Sequence, residues 1–456
     1  MQIASGKRTT NIILFLAIIV LFSSVSLFAA NAAFAVRDEI YTGVKIGNIP
    51  VGGLSEAEAR TKVTTLMNDR LAKNPLILIY KDREWTIQPT EIKLSVDIDS
   101  LIKQAYQVGR SGNIIQRLQE RYITINKGYQ LPINFAYDKE KLSEILTSIA
   151  TTLNQEPQSA KVVLNGVKIV SIPDTEGLKV DVEATTKAIN DKINTDSLPY
   201  KVSLVVNVTK PNIVLEDLKS IDDLIASYTT QFNSQNENRV QNIRLAATSV
   251  NNILLRPGET FSFNQTVGLR LAEYGYKEAP VFINGKLVPD WGGGVCQVSS
   301  TLYNAVLLAD MNILERTSHY RPPGYVPLGQ DATVADNLLD FKFSNSSEHN
   351  IFIGSELTDT HLTIYVFGKS EKRPEITVAA TDKKVIEPNT IVKQDPDLEL
   401  GKEVVESEGE KGFQVTTYRI KQLNGKEISR ELLAKDEFPP DDRIVRVGTK
   451  NLHDQK

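Results

Sequence analysis

The chain has 456 residues, of which 41% are hydrophobic, 24% charged and 7% aromatic, and this length predicts about three domains. Its 52 basic and 56 acidic residues give a formal charge of −4, so no basic surplus favours nucleic-acid binding. The single cysteine, Cys296, excludes an internal disulfide and a thiolate zinc cluster, and four scattered histidines argue against a histidine metal site. We therefore expect no metal, no cofactor and no nucleic-acid partner.

The N-terminal segment predicts a membrane anchor. Lys7 and Arg8 precede an uncharged apolar run, which predicts a transmembrane helix over residues 12–35 that keeps the N-terminus cytoplasmic and the bulk of the chain extracytoplasmic. The alternative is a signal peptide cut at the small-x-small triplet 33–35, which would leave a secreted, wall-associated protein. The apolar run exceeds the ~7 to 15 residues usual for a signal peptide, and this favours the uncleaved anchor in the cell membrane.

The first half of the chain contains an internal repeat. The hexapeptide LSVDID at 94–99 recurs 84 positions later as LKVDVE at 178–183. Each copy follows a hairpin pattern and leads into a helix, expected from Asp99 toward Tyr122 in the first copy. Small duplicated α+β units without a nucleophile, base or metal spacing are typical of binding or spacer modules, so we assign them no catalysis.

Two further segments complete the pattern along the chain. Residues 215–232 predict a helix that leads into the central segment. From Arg373 onward, alternating strand-like runs separated by glycines predict an elongated all-β module. Its acidic run between Asp395 and Glu410 lacks the fixed oxygen spacing of a calcium loop, so we expect a solvated strand edge there.

The stretch WGGGVCQVSSTL at 291–302 carries the candidate chemistry. Three glycines end one element, and a helix is expected to begin at or just before Cys296, where the helix dipole favours a thiolate. His319 is the candidate base, and Asp331, twelve residues later, is the candidate group that orients its imidazole. Gln297 is a candidate hydrogen-bond donor to an oxyanion, a role that the backbone N–H groups of Cys296 and Gln297 would serve equally well.

A structural role for these residues is the alternative. A lone cysteine is commonly a buried small hydrophobe, and a histidine such as His319 also caps turns with both ring nitrogens satisfied. The residues alone therefore leave catalysis and structural burial both open.

The central segment, residues 242–368, closely resembles the VanW domain. The motifs that carry this resemblance are Asn242-Ile243, Ala246-Ala247, LRPGETFSFN at 255–264, Gly275-Tyr276, GGGVCQVS at 292–299, TLYN at 301–304, Glu315-Arg316, His319, YVP at 325–327 and DATV at 331–334. The resemblance implies no established reaction. Cys296, Gln297, His319 and Asp331 therefore remain candidates on their own chemistry.

The flanking segments resemble two other families. Residues 42–208 look like the peptidoglycan-binding domain that commonly precedes VanW, through Gly43-Val44, the stretch GGLS at 52–55 and the two Leu-x-Val-Asp copies. The tail resembles the G-five domain through Gly409, Gly412, Tyr418, Asn424-Gly425 and VRVGT at 445–449. The G-five resemblance implies binding of N-acetylglucosamine polymers and adhesion.

Together these features predict an α+β multidomain protein with one N-terminal transmembrane helix, two small α+β repeats, a VanW-type α+β domain and an elongated all-β module. The expected boundaries are 1–11 for the cytoplasmic N-terminus, 12–35 for the anchor, 41–130 and 131–212 for the two peptidoglycan-binding copies, 213–370 for the VanW-type domain and 371–450 for the G-five-type module.

The leading functional expectation is a membrane-anchored, extracytoplasmic cell-envelope protein that binds peptidoglycan or its amino-sugar polymers. A second hypothesis makes the central domain a thiol hydrolase or transferase acting on peptide or amide bonds of peptidoglycan, with Cys296 attacking and His319 moving the proton. A third makes the chain a structural or adhesion protein without catalysis. A link to vancomycin resistance is implied by the family name alone.

Overall fold

A computed structural model of the protein describes residues 12–23, 25–26, 38–195, 198–283, 286–371 and 373–450. The chain forms two compact units, one of Met1–Glu156 with Glu176–Thr209 and one of Pro157–Thr175 with Lys210–Lys456. Each unit has hydrophobic clusters of its own. The four module boundaries expected beyond residue 40 stay a prediction.

The helices beyond residue 38 alternate with short strands. In chain order they are α1 (Glu56–Lys73), α2 (Ile98–Gln107), α3 (Ile114–Lys127), α4 (Lys139–Leu153), α5 (Val182–Asn194), α6 (Glu237–Ser249), α7 (Phe263–Val267) and α8 (Val295–Leu308), with 3-10 turns at Leu215–Leu218 and Ala272–Tyr274.

The strands are mostly short before residue 220 and longer after residue 370. In chain order they are β1 (Val44–Ile46), β2 (Ile49–Pro50), β3 (Leu76–Tyr80), β4 (Arg83–Ile87), β5 (Ser95–Val96), β6 (Tyr129–Leu131), β7 (Phe135–Ala136), β8 (Lys161–Asn165), β9 (Lys168–Ile172), β10 (Gly177–Val180), β11 (Lys201–Ser203), β12 (Val206–Thr209), β13 (Asp223–Gln231), β14 (Ile253–Leu255), β15 (Thr260–Ser262), β16 (Glu278–Ile283), β17 (Lys286–Trp291), β18 (Asn312–Glu315), β19 (Lys342–Ser344), β20 (Ile351–Leu357), β21 (His361–Gly368), β22 (Glu375–Ile386), β23 (Thr390–Glu399), β24 (Glu403–Ser407), β25 (Gly412–Leu423), β26 (Lys426–Phe438) and β27 (Arg443–Lys450).

The first unit is built from small sheets with helices packed against them. Its sheets have the strand orders β2-β1-β6, β11-β3-β4, β10-β12 and β5-β7. The two copies of the repeat have equivalent local structure, because β5 leads into α2 and β10 leads into α5. Asp97 caps the first of these helices by accepting from Ser100 N, and Asp181 caps the second by accepting from Ala184 N. The predicted strand-to-helix pattern of the repeat is confirmed.

Two helix predictions from the sequence are wrong. The helix expected from Asp99 toward Tyr122 is divided, since Gly109 and Gly112 adopt φ of 71° and 87° and Asn113 caps a new helix. The helix expected over residues 215–232 is a 3-10 turn followed by β13, which pairs antiparallel with β21. Pairing with a strand more than a hundred residues away overrides the local helical pattern there.

The N-terminal transmembrane helix expected over residues 12–35 is also wrong. Residues 12–23 and 25–26 are helical, but within the described part of the chain no helix is long and apolar enough to cross a membrane. The predicted cleavage triplet at 33–35 lies outside the described residues.

The second unit is organised around one buried helix. Residues of α8 are buried on nearly every side, which is typical of a core helix rather than a surface helix. It packs against α6 and against the antiparallel sheet of order β13-β21-β20-β14. The C-terminal strands form two further sheets, β22-β25-β26 and β23-β27-β24, so the predicted β character of the tail is confirmed.

Candidate functional site

A glycine turn presents the cysteine at the start of α8. Gly294 caps the helix with φ of 111°, a left-handed conformation that favours glycine, and Cys296 is the second helical residue. A Cβ on Gly293 would lie 2.7 Å from the carbonyl oxygen of Ala279, so this turn packs against protein rather than open space. The predicted helix start is confirmed, and the free thiol lies in the positive field of the helix end.

The thiol is half-buried and contacts a loop on the far side of the site. Its sulfur lies 3.4 Å from the carbonyl oxygen of Val334, and His319 is near enough to lower the pKa of the thiol. Burial raises the pKa of the Cys296 thiol, but the hydrogen bond and charge of His319, together with the nearby charge of Arg270, outweigh burial and hold that pKa below its ordinary value.

Asp331 orients the imidazole. Its carboxylate oxygen Oδ2 lies 2.6 Å from His319 Nδ1 and also accepts from the backbone N–H of His319 at 2.6 Å. Because Asp331 engages Nδ1, Nε2 is the ring nitrogen left for proton transfer. Burial lowers the pKa of His319, but the hydrogen bonds and negative charges of Asp331 and Cys296 raise it to about 9. A His319 pKa of about 9 favours the imidazolium at neutral pH, and the positive charge of that imidazolium favours the thiolate form of Cys296.

A buried arginine holds the aspartate in turn. Arg316 donates from Nη2 to Asp331 Oδ1 at 3.1 Å and from Nε to the Asp331 carbonyl oxygen at 2.6 Å. Its Nη1 donates to both carboxylate oxygens of Asp436, at 2.6 and 2.8 Å. The side chains of Arg316, Asp331 and Asp436 are only 6%, 1% and 8% exposed. Asp436 belongs to β26, so a strand of the C-terminal module completes this network.

The segment that carries the histidine and the aspartate, residues 316–331, is here called the His loop. It has no helix or strand of its own and makes further contacts with the C-terminal strands. Arg321 forms ion pairs with Glu410 and Asp441. Gly329 lies against β25, where Thr417 donates to its carbonyl oxygen at 3.4 Å. The His loop is therefore fixed by partners that lie about ninety to one hundred and twenty residues further along the chain.

The side chain of Gln297 is placed beside the thiol but its polar groups are occupied. Its Nε2 donates to Thr230 Oγ1 at 3.0 Å and to the carbonyl oxygen of Gln231 at 2.9 Å, and its Oε1 accepts from Arg239 at 2.7 Å. The residue is 1% exposed. The backbone N–H of Cys296, by contrast, has no acceptor within the part of the chain that the structure describes. The suggested oxyanion role of the Gln297 side chain stays a prediction.

Sequence reasoning did not single out the basic residues around the site. Arg316 stands three positions before His319 in a motif that was noted only for its resemblance. Arg239, Arg270 and Asp436 lie far from the cysteine in sequence, and no local pattern marks them. Among the described residues, no group of three or more His, Cys, Asp or Glu side chains is placed to hold a metal ion.

A polar groove lies away from the thiol. Its volume is about 630 Å³, and none of Cys296, His319 and Asp331 lines it. Its lining residues are Gly258, Asp310, Asn312, Ser344, Asn345, Ser346, Ser347, Arg419 and Lys421.

The fold and the site thus define a multidomain protein with a cysteine, histidine and aspartate in contact on an α+β domain. Three family models match successive parts of the chain. A peptidoglycan binding domain matches residues 85–201, the family described as VanW like protein matches residues 238–367, and a G5 domain matches residues 377–450.

Two curated relatives agree with these matches. The Bacillus subtilis (strain 168) protein YoaR is 38% identical over 224 residues, which are 49% of this chain and 73% of YoaR. The vancomycin B-type resistance protein VanW of Enterococcus faecalis (strain ATCC 700802 / V583) is 34% identical over 144 residues, which are 30% of this chain and 52% of that protein. The chain therefore belongs to the VanW-like family, and it spans about half the length of the Enterococcus relative.

Two solved G5 structures are similar to the C-terminal part. The IgA1 protease G5 domain is 33% identical, with a TM-score of 0.15, and the match covers 18% of this chain and 98% of that one. The HP0197-G5 crystal structure is 25% identical, with a TM-score of 0.13, and covers 16% of this chain and 99% of that one. TM-scores this low carry no argument about the fold. The combination of VanW, peptidoglycan-binding and G5 domains fits a cell-envelope protein that binds wall polymers.

Proposed function

We propose that this protein is a wall-binding thiol enzyme that hydrolyses or transfers acyl groups at peptide or amide bonds of peptidoglycan. The contact of Cys296 with His319, whose imidazole is held by Asp331, is the observation that carries the proposal. The peptidoglycan-binding and G5 matches support the choice of substrate and an extracytoplasmic location at the wall. A nucleophile, a general base and an orienting group are the minimum set for acyl transfer by a thiol.

The first half-reaction forms a thioester. The Cys296 thiolate attacks the carbonyl carbon of the substrate amide, a carbon–sulfur bond forms, and the carbonyl oxygen becomes an oxyanion. The backbone N–H of Cys296, which has no acceptor among the described residues, is the hydrogen-bond donor that we assign to that oxyanion, supported by the positive end of α8. When the intermediate collapses, the carbon–nitrogen bond breaks and His319 gives its Nε2 proton to the leaving amine.

The second half-reaction releases the acyl group. Neutral His319 accepts a proton from water, or from an acceptor amine, as that nucleophile attacks the thioester carbon. The carbon–sulfur bond breaks and the thiolate returns beside the imidazolium. Water gives a carboxylate product, and an amine gives a new amide. Asp331 keeps its charge throughout and stabilises the imidazolium.

The test is release of new amino groups from purified peptidoglycan by the full-length protein. We expect release by the wild type and its loss in Cys296→Ala, with binding to the wall retained in both. His319→Ala is expected to lower the rate at least about a hundredfold, as loss of a general acid–base does. Soluble products separated by size identify the bond that is cut.

A matched control for the histidine variant is His361→Ala, because His361 is exposed on β21 and is not part of the His loop. Equal rates for wild type and Cys296→Ala would contradict the proposal. So would the absence of release from walls of several chemotypes at several pH values while the protein still binds them.

A wall-binding protein without turnover is the second candidate. It is favoured by the two binding-domain matches, which by themselves account for attachment to the wall. In that case Cys296 is a structural residue, and its hydrogen bond to Val334 O links α8 to the neighbouring loop. Binding unchanged in Cys296→Ala, together with no release by the wild type, would favour this candidate, including a purely structural or adhesive role.

A further inference from the structure

Two arginines lie near the thiol, and they differ in their partners. Arg270 forms an ion pair with Asp336 and donates to Asn264 Oδ1 at 2.7 Å, so its charge is compensated within the protein. Arg239 has no carboxylate partner within the part of the chain that the structure describes, and its Nη2 donates to a neutral amide instead. Burying a guanidinium without a counter-ion costs free energy. The position of Arg239 beside a nucleophile therefore indicates a binding site for an anionic ligand.

The structure holds the Arg239 guanidinium in one position. The residue is on the first turn of α6, and its Nη2 donates to Gln297 Oε1 at 2.7 Å. Its Nη1 occupies the space above the glycine turn, because a Cβ on Gly294 would lie 2.7 Å from that nitrogen. The guanidinium of Arg239 thus contacts Gln297, the residue after the nucleophile, and Gly294, the N-cap of the helix that carries the nucleophile. A cation fixed this way is pre-organised for an anion that approaches the thiol.

Electrostatics around the thiol agree with this placement. Burial lowers the pKa of Arg239, and the negative charge of a Cys296 thiolate acts to raise it. The guanidinium and the thiol therefore act on each other, although no side-chain hydrogen bond joins them. His319 is the group that lowers the pKa of the Cys296 thiol most, which leaves Arg239 for a second negative charge.

We propose that Arg239 binds a carboxylate of the substrate, so that the preferred substrate is a peptide whose free C-terminal carboxylate lies next to the amide that Cys296 attacks. This inference rests on the function proposed above and narrows it to carboxypeptidase-type cleavage. The carbon–nitrogen bond that breaks joins the last amino acid to the rest of the peptide. His319 supplies the proton that the departing amino acid takes up, and water or an amine then accepts the acyl group.

Selective alkylation of the single cysteine tests the anion site without any turnover. Iodoacetate is anionic and iodoacetamide is neutral, so the ratio of their rate constants reports the local field at Cys296. We expect Arg239→Gln to lower this ratio about fivefold, the size of a charge effect of roughly 1 kcal/mol over a few ångströms. Arg239→Lys, which keeps the charge, should hold the ratio near the wild-type value.

Arg244→Gln is the matched control, because Arg244 is exposed on the same helix and should leave the ratio unchanged. An unchanged ratio in Arg239→Gln would overturn the proposal. Circular dichroism checks whether Arg239→Gln still folds. If it does not, folded Arg239→Lys replaces it in the test. An iodoacetate-to-iodoacetamide ratio in Arg239→Lys equal to that of free cysteine would then overturn the proposal.

A pair of peptides tests the substrate class in the wild-type protein. The probe is a peptidoglycan stem peptide with a free C-terminal carboxylate, compared with the same peptide amidated at its C-terminus. Cleavage of the carboxylate form at least about tenfold faster supports the proposal, and this preference should shrink in Arg239→Gln but not in Arg244→Gln. Equal cleavage of both overturns this inference and leaves the proposed function standing. Cleavage of neither, with new amino groups still released from intact wall, also overturns it, whereas no release at all overturns the proposed function itself.

Discussion

Cys296 and His319 face each other across the site but are positioned by different parts of the molecule. The cysteine is on a core helix whose start is set by the glycine turn directly before it in the sequence. The histidine is in the His loop, which lacks regular structure and is held by Arg316 and by strands of the C-terminal module. The position of the cysteine is therefore set by neighbours in the sequence, whereas the position of the histidine depends on residues about ninety to one hundred and twenty positions away.

This difference bears on how the C-terminal module contributes. The module matches a G5 domain, and its strand β26 supplies Asp436, which holds the arginine that holds Asp331. Anything that moves β26 therefore changes the position of the imidazole relative to the thiol. Replacements on the cysteine side are expected to act on the thiol directly, whereas replacements on the His-loop side are expected to act through stability and imidazole position.

The largest effect is expected from Arg316→Ala. The change leaves the carboxylates of Asp331 and Asp436 buried without their cation, and breaking such a buried pair costs about 3 to 5 kcal/mol of unfolding free energy. The measurement is denaturant unfolding followed by the fluorescence of Trp291, in a Trp85→Phe background so that only the second unit is observed.

The control for that experiment breaks an exposed ion pair on β26, the strand that carries Asp436. Glu427→Ala removes the partner of Arg430, and both side chains are solvent-exposed, so no measurable shift of the unfolding midpoint is expected. An Arg316→Ala midpoint equal to that of the Glu427→Ala control would contradict the view that the C-terminal module holds the His loop.

The next effect is on the thiol itself. His319→Ala removes the largest influence that lowers the pKa of Cys296, while the burial that raises this pKa remains, so we expect the pKa of the thiol to rise. At pH 7 the thiolate fraction should fall more than about tenfold. The measurement is the rate of alkylation by iodoacetamide against pH, and a profile that matches the wild type would show that the imidazole does not act on the thiol.

A smaller effect is expected on the imidazole when its orienting group loses its charge. Asp331 raises the pKa of His319, which is about 9 in the wild type, so Asp331→Asn should lower it by about 1 to 3 pH units. Turnover that needs the imidazolium should fall as pH rises through about 9 in the wild type and at a lower pH in the variant. NMR titration of the His319 Cε1 proton gives the value directly, and an unchanged titration would contradict the role of Asp331.

The smallest effect is expected where the His loop contacts β25. Gly329 has φ of 79°, and an added Cβ would lie 2.4 Å from Thr417 Oγ1, so Gly329→Ala combines backbone strain with a clash and should cost about 1 to 2 kcal/mol. Thr417→Ala in the same chain should restore part of that loss. Gly258→Ala is the matched control, because Gly258 has φ of 77° and its added Cβ would meet nothing within 4 Å.

Equal losses in Gly329→Ala and Gly258→Ala, with no restoration by Thr417→Ala, would show that this contact does not hold the His loop. A larger loss at Gly329, relieved by the second change, would locate the interaction between the loop and β25. Both variants are measured by the same Trp291 fluorescence.

Local patterns predicted local structure well in this chain. The start of α8 before Cys296, the two strand-to-helix repeats and the strands of the tail follow from glycines, capping residues and alternation, which act over a few residues. The helix expected over 215–232 was wrong because a partner strand at 361–368 decides the conformation of that segment. The anchor prediction was wrong because no helix in the described part of the chain is long and apolar enough to cross a membrane.

The amino-acid sequence alone showed which groups are available: a single thiol, which lies at the start of a helix and allows no internal disulfide, and a histidine and an aspartate further along the chain. Folding of the chain placed Asp331 against the Nδ1 atom of His319, brought Asp436 to Arg316, and left Arg239 without a carboxylate partner among the described residues. The two kinds of information differ because the underlying interactions act over different distances along the chain. Capping and turn preferences act between neighbours, whereas buried ion pairs join residues that packing brings together from distant parts of the chain.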